Sequence, residues 1–322
     1  MFAIVVLGAR KRPFCFIIID EVFSMKHYSK KFIELPGVDE RVAYIEAGSG
    51  DRDLLLIHGN MSGSLHYTPI IERLEGEFHI YAPDMKGYGD TTYRHHFTHL
   101  HEQADLIIEF CDKLGLKHLR VGGWSTGGAV TMSVAARRPD LVDQIVFFDS
   151  ISLRGHPYFQ RDEKGKPIYG KVYDSIEHMS SSNPQKATIE WMENKDFEKM
   201  TGLWNLVIYS GGPRPTEEEN RLYMEETFKQ RCLGESYWAL STFNITDTPT
   251  FYAKGDGLYH NIHQPILCFW GENDISVPWF NTHELPDYFG DQLKLVKVPH
   301  AGHSPISDQP DLLVEEMRKF LK

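Results

Sequence analysis

From Lys31 onward the chain alternates short apolar runs with longer segments patterned as helices, and this alternation limits its fold more than any other feature. "DLLLIHG", "FHIYAPD", "LRVGGWS", "DQIVFFDS", "PILCFWGEND" and "LKLVKVP" are compact runs of the kind that form strands buried on both faces. Helical patterns fall between and after them, around Tyr67 to Leu74, from about His101 to Leu114, through "GGAVTMSVAARRP", from Pro278, and in "QPDLLVEEMRKFLK". Before them, "KFIELPGVDERVAYIEAG" sets two strand patterns around a Pro-Gly turn, which predicts a hairpin. The fold class expected is α/β, with a mostly parallel eight-stranded sheet flanked by helices.

Between Ser150 and about His263 the rhythm breaks into helical patterns joined by polar loops and rich in aromatic residues, with Thr216 placed to cap a helix whose first turn is Glu217 to Glu219. An insertion of this size between two parallel strands is expected to lie over the strands' carboxyl ends, where such sheets bind ligands. The organisation predicted is therefore a core in two parts, 25–150 and 264–322, with a helical cap insertion at 151–263. A chain of 322 residues, 41% of them hydrophobic, is long enough to bury such a core. Residues 1–24 read as an extension of unclear role. Arg10, Lys11 and Arg12 divide their apolar runs, which leaves each short of the roughly 20 residues of a membrane span and in the wrong order for a signal peptide.

The chemistry gathers at four places. In "VGGWSTGGAV" an apolar strand pattern ends at Ser125 and a helix pattern begins just after it, which is the context a G-x-S-x-G nucleophile elbow requires. A serine hydroxyl needs a base oriented by a carboxylate. His303 in "VPHAGHSP" follows the last strand pattern, with His300 as competitor. Asp274 in "WGENDISVP" follows the penultimate strand pattern, with Glu272 and Asp149 as alternative acids. The order Ser125, Asp274, His303 is that of one hydrolase architecture. The fourth place is "IHGNMSGS", where the backbone N–H of Asn60, paired with that of Thr126, would form an oxyanion hole; His58 reads as structural. Trp124, Met61, Trp204 and Trp238 are the candidate substrate contacts.

Taken together, "IHGN", "GGWSTGG", "GENDISVP" and "PHAGHSP" resemble the α/β-hydrolase superfamily from about Lys31 to Lys322. Trp124 before the serine, the "HGNMSGS" loop, "GLWNLVIYS" and "YWALSTFNIT" are similar to a bacterial group of intracellular polyhydroxybutyrate depolymerase-like hydrolases, although that group more usually has methionine where Thr126 stands. The resemblance implies Ser125 as nucleophile, Asp274 as acid, His303 as base, and oxyanion donors at Asn60 and Thr126. Haloalkane dehalogenases share an asparagine after His-Gly but attack with an aspartate, and epoxide hydrolases fail on the same ground.

Lys and Arg number 34 against 45 Asp and Glu, a net charge of −11, which argues against nucleic-acid and anionic-membrane partners. Four widely spaced cysteines, with no ligand pattern, read as buried free thiols in a reducing, cytoplasmic setting. The activity expected is hydrolysis of a small-molecule carboxylic ester through an acyl-enzyme, with no metal or cofactor. Short hydroxyacid esters or oligomers are the first substrate reading. The same triad could instead serve a lactonase, a thioesterase or a carbon-carbon hydrolase, and a non-catalytic ligand-binding scaffold is the rival of another class.

Overall fold

The structure, a computed structural model, describes residues 26–322; the reading of residues 1–24, and Cys15 within them, lies outside the described residues. Eight strands form one sheet in the order β1-β2-β4-β3-β5-β6-β7-β8. They are β1 (Lys30–Leu35), β2 (Glu40–Ala47), β3 (Asp53–Ile57), β4 (His79–Pro83), β5 (Leu119–Trp124), β6 (Val142–Phe148), β7 (Ile266–Gly271) and β8 (Leu293–Val298). β1 and β2 form the expected hairpin, β2 runs antiparallel to β4, and every other pairing is parallel.

Helices α1 (Thr68–Leu74), α2 (Leu100–Leu114) and α3 (Thr126–Arg137) belong to the first half. Between β6 and β7 lie α4 (Ile176–Ser180), α5 (Gln185–Glu193), α6 (Phe197–Val207), α7 (Glu217–Thr227) and α8 (Leu233–Thr242). The chain closes with α9 (Trp279–Thr282), α10 (Leu285–Phe289), α11 (Pro305–Asp308) and α12 (Pro310–Phe320). No described helix is long and apolar enough to cross a membrane.

Alternation along each strand divides the core between the two faces of the sheet. Leu55 and Ile57 join Val121, Ile145 and Cys268 on the face that α2 and α3 cover through Ile107, Phe110 and Val130. Leu54 and Leu56 join Val146, Leu267 and Phe269 on the other face, against Ile71 of α1 and Leu313 and Met317 of α12. Both faces are covered, so the strands read as continuous apolar runs. The second cluster extends into the segment between β6 and β7 through Met179, Met200, Trp204 and Tyr223, so much of its aromatic richness is core. Thr216 caps α7, its Oγ1 accepting from the Glu219 N–H at 3.2 Å. Cys111, Cys232 and Cys268 are buried free thiols.

One contact set joins this segment to the core. The Lys30 ammonium lies 2.7 Å from Asp84 Oδ2 and 2.9 Å from Asp90 Oδ2, and it also pairs with Glu226 of α7. Asp84 further accepts from the Ser64 and Asp90 N–H groups at 2.8 and 2.9 Å. Burial alone would depress the lysine, but the charges of Asp84 and Glu226 outweigh it and hold it above its ordinary value. The three carboxylates converge as an oxygen cage would, and Lys30 supplies a cation to all three, with Lys229 also pairing to Asp90 and Glu226 at 2.8 and 2.9 Å. Lys30→Met leaves the buried Asp84 without its cation, while Asp90 and Glu226 keep Lys229, and is expected to cost about 3–5 kcal/mol, read as a lower midpoint in urea denaturation.

Candidate active site

The turn from β5 into α3 places Ser125 at the carboxyl end of a central strand, with φ +52 and ψ −117. A non-glycine residue holds that backbone only where the surroundings impose it. Here the Ser125 N–H donates to Phe148 O at 3.0 Å, and its carbonyl accepts from Gly128 N at 2.9 Å. Close packing does the rest. α3 is buried at every position from Thr126 to Ala136, and a Cβ on Gly127 would stand 2.0 Å from Ile57 O. A Cβ on Gly123 would stand 2.4 Å from Gly127 O, so only glycine at these two positions lets strand, elbow and helix approach.

Ser125 Oγ lies 2.9 Å from His303 Nε2, and His303 Nδ1 lies 2.7 Å from Asp274 Oδ2. His303 and Asp274 are buried, and Ser125 is 9% exposed. With Nδ1–H donating to the carboxylate, Nε2 is left to accept the serine proton. The other oxygen of Asp274 accepts from the Ser276 and Val277 N–H groups at 2.7 and 2.9 Å, which fixes the carboxylate plane.

His303 is mounted from three sides. Its N–H donates to Ile208 O, just past α6, at 2.7 Å. Its carbonyl accepts from the Trp124 indole at 2.7 Å, and the preceding Gly302 N–H donates to Asp308 at 2.8 Å. Two more bonds tie the same region to the acid's loop: Ser276 Oγ to Val207 O at 2.9 Å, and Ser210 Oγ to Asn273 O at 2.8 Å.

The competitors separate cleanly. The His300 side chain is 82% exposed, and Glu272 faces it, accepting from the His300 N–H at 2.8 Å. Asp149 is buried at the end of β6, accepts from Gly271 N at 2.8 Å, and makes no bond to His303. Burial, with the Asp274 charge beside it, holds its carboxyl well above the usual carboxylate range.

Asn60 and Thr126 both line the cavity in front of Ser125. Among the described residues, neither backbone N–H has a protein acceptor. The Asn60 side chain is held away from the serine, its Oδ1 accepting from Tyr88 Oη at 3.2 Å and Gln230 Nε2 at 2.9 Å. Met61, at φ +55, is latched by its N–H to Gln230 Oε1 at 2.9 Å and by its carbonyl to Thr227 Oγ1 at 2.7 Å. Gln230, which carried no signal in the sequence, therefore grips both residues of this loop. His58 spans the loop's base, accepting from Met85 N through Nε2 at 3.0 Å with Nδ1 2.8 Å from Gly59 O. Burial lowers its pKa to about 4, so the ring is neutral near pH 7.

The cavity measures about 450 Å³ and is walled by Leu203, Val207, Tyr237, Leu240 and Val277. Of the four expected substrate contacts, Trp124 and Met61 line it and two do not. Trp204 is fully buried, packed 6.4 Å from Trp124 and 5.3 Å from His66, so it supports the wall from behind. Trp238 turns toward Tyr252, edge-on at 6.0 Å.

A family model described as "Alpha/beta hydrolase family" matches residues 54–316. Among curated proteins, the chain is 37% identical over 283 residues to Haloalkane dehalogenase 2 of Mycobacterium tuberculosis, covering 84% of this chain and 88% of that one. It is 25% identical over 288 residues to Lipase 1 of Psychrobacter immobilis, covering 87% of this chain and 80% of the lipase. Among solved structures, an esterase (EaEST) from Exiguobacterium antarcticum shares the fold with a TM-score of 0.70 at 16% identity, covering 91% of this chain and 99% of the esterase.

Proposed function

Because the chain belongs to the alpha/beta hydrolase family, we propose that it is a serine carboxylic-ester hydrolase working through an acyl-enzyme on Ser125. The observation that carries this reading is the continuous line of bonds from Ser125 Oγ through His303 to Asp274, at 2.9 and 2.7 Å. His303 Nε2 takes the serine proton as Oγ attacks the ester carbonyl, and the N–H groups of Asn60 and Thr126 meet the developing oxyanion. The tetrahedral intermediate expels the alcohol, which His303 protonates. His303 then deprotonates a water that attacks the acyl carbonyl, and the acid leaves with Ser125 restored.

The dehalogenase likeness is the observation that favours another bond, and the nucleophile decides against it. A carboxylate that displaces halide becomes an alkyl ester, which water cleaves at the carbonyl. A serine oxygen that displaces halide becomes an alkyl ether, with no carbonyl for water to attack. Such an enzyme would stop after one event. Steady turnover is therefore expected across 4-nitrophenyl esters of graded acyl length, and 1-haloalkanes are expected to release no more than one halide per Ser125. Sustained halide release would overturn the reading, and faster turnover of lactones, thioesters or β-diketones would move it to a different bond.

The lipase and esterase likenesses support an ester, and the apolar walls suit a short acyl group. The resemblance of the Trp124 elbow and the "HGNMSGS" loop to depolymerase-like hydrolases supports a short hydroxyacid ester or oligomer as the substrate, with no cofactor.

A further inference from the structure

The Asn60 N–H can meet an oxyanion only if the peptide that carries it is held at one angle. That peptide is planar and trans, so its N–H points opposite to the Gly59 carbonyl. One side of it is fixed from within the loop, where Gly59 O accepts from Ser62 Oγ and from His58 Nδ1, each at 2.8 Å.

The other side is held from the segment between β6 and β7. Gln230 lies just past α7 and is 7% exposed. Its Oε1 accepts from the Met61 N–H at 2.9 Å, and its Nε2 donates to Asn60 Oδ1 at 2.9 Å and to Ser236 Oγ of α8 at 3.2 Å. Thr227 Oγ1 donates to Met61 O at 2.7 Å. Both backbone polar groups of Met61 are therefore taken by these two side chains, at a residue whose φ of +55 is kept only where neighbours impose it. The grip is itself anchored. Glu226, beside Thr227, pairs with Lys30 of β1, and Lys229, beside Gln230, pairs with Asp90 at 2.8 Å. Within five residues, two side chains hold charges of the core and two hold the loop of Asn60. Loosening Gln230 lets Met61 leave its imposed turn and lets the Asn60 N–H swing from its aim. Such a change weakens the transition state more than the bound ester, because full charge on the oxygen exists only in the former.

We propose that Gln230 is a positioning residue for the oxyanion hole, through which the segment between β6 and β7 aims the Asn60 N–H at the developing charge. This rests on the ester-hydrolase reading, which the test keeps separate. Gln230→Met keeps the length of the side chain and removes these bonds. In the folded variant, kcat/KM for the best 4-nitrophenyl ester is expected to fall roughly 10- to 100-fold, since the donor is misaimed rather than deleted. A pair of inhibitors supplies the readout that a merely structural role would not move. An alkyl trifluoromethyl ketone takes Ser125 Oγ onto its carbonyl carbon, with the serine proton passing to His303, and leaves an alkoxide in the hole. The matching methyl ketone fills the cavity without adding. The Ki of the trifluoromethyl ketone is expected to rise by the factor that kcat/KM falls, and that of the methyl ketone to stay within about twofold. If Gln230→Met does not fold, Thr227→Val, which keeps its shape and loses the bond to Met61 O, carries the same comparison. Unchanged kcat/KM in the folded variant, equal weakening of both ketones, or a loss of turnover that the trifluoromethyl ketone does not share overturns the positioning role. Failure of the wild type to cleave any ester, or of a fluorophosphonate to label Ser125, overturns the ester-hydrolase reading instead.

Discussion

Ser125→Ala is expected to fold as the parent does and to lose turnover of carboxylic esters by roughly 10⁴- to 10⁶-fold. Alanine keeps the Cβ that packs 3.1 Å from where a Gly59 Cβ would stand, and it keeps the backbone bonds of the elbow. Only Oγ is removed, and its one side-chain partner among the described residues is His303 Nε2 at 2.9 Å. What remains is catalysis by the oxyanion donors and by substrate positioning. The comparison is made on purified proteins with matched thermal unfolding midpoints, using the 4-nitrophenyl ester the parent turns over fastest. Unchanged turnover in the alanine variant would sink the mechanism.

Asp274→Asn carries the second large effect, a loss of about 10⁴-fold. An asparagine amide in this place keeps its oxygen on the Ser276 and Val277 N–H groups and turns its NH₂ toward His303 Nδ1. The imidazole then carries its proton on Nε2 and has nothing with which to accept the serine proton. Asp149→Asn is the matched control. Burial and the neighbouring Asp274 charge disfavour the charged form of its carboxyl, and an amide keeps its shape without the charge, so turnover is expected to stay near that of the parent. Equal losses in the two variants would show that the carboxylates act as a pair, and a larger loss at Asp149 would exchange their roles.

The sheet and the elbow were legible because their signals are local. A buried strand, a serine between glycines and a following helix sit within the stretch from Leu119 to Arg137, and the hairpin was written in one Pro-Gly turn. The choice of His303 over His300 was legible as loop position and became definite only as geometry, with the His300 side chain turned into solvent. Aromatic content could not separate wall from support. Trp204 and Trp238 lie in the same helical segment as the true cavity wall, yet one is sealed behind Trp124 and the other faces Tyr252. Lys30, Asp84 and Glu226 were out of reach for another reason. Lys30 stands 54 residues from Asp84 and 196 from Glu226, distances over which no periodicity or turn chemistry speaks.

The bond from the His303 N–H to the Ile208 carbonyl reaches beyond catalysis. With Val207 holding Ser276 and Ser210 holding Asn273, the end of α6 is part of the bracket that carries both the base and the acid. Grafting this segment from a relative to change substrate preference would therefore replace the mounting of the proton relay as well as the walls of the cavity. An engineer exchanging segments here should keep the stretch from Val207 to Ser210 with the host sheet and place the junctions outside it.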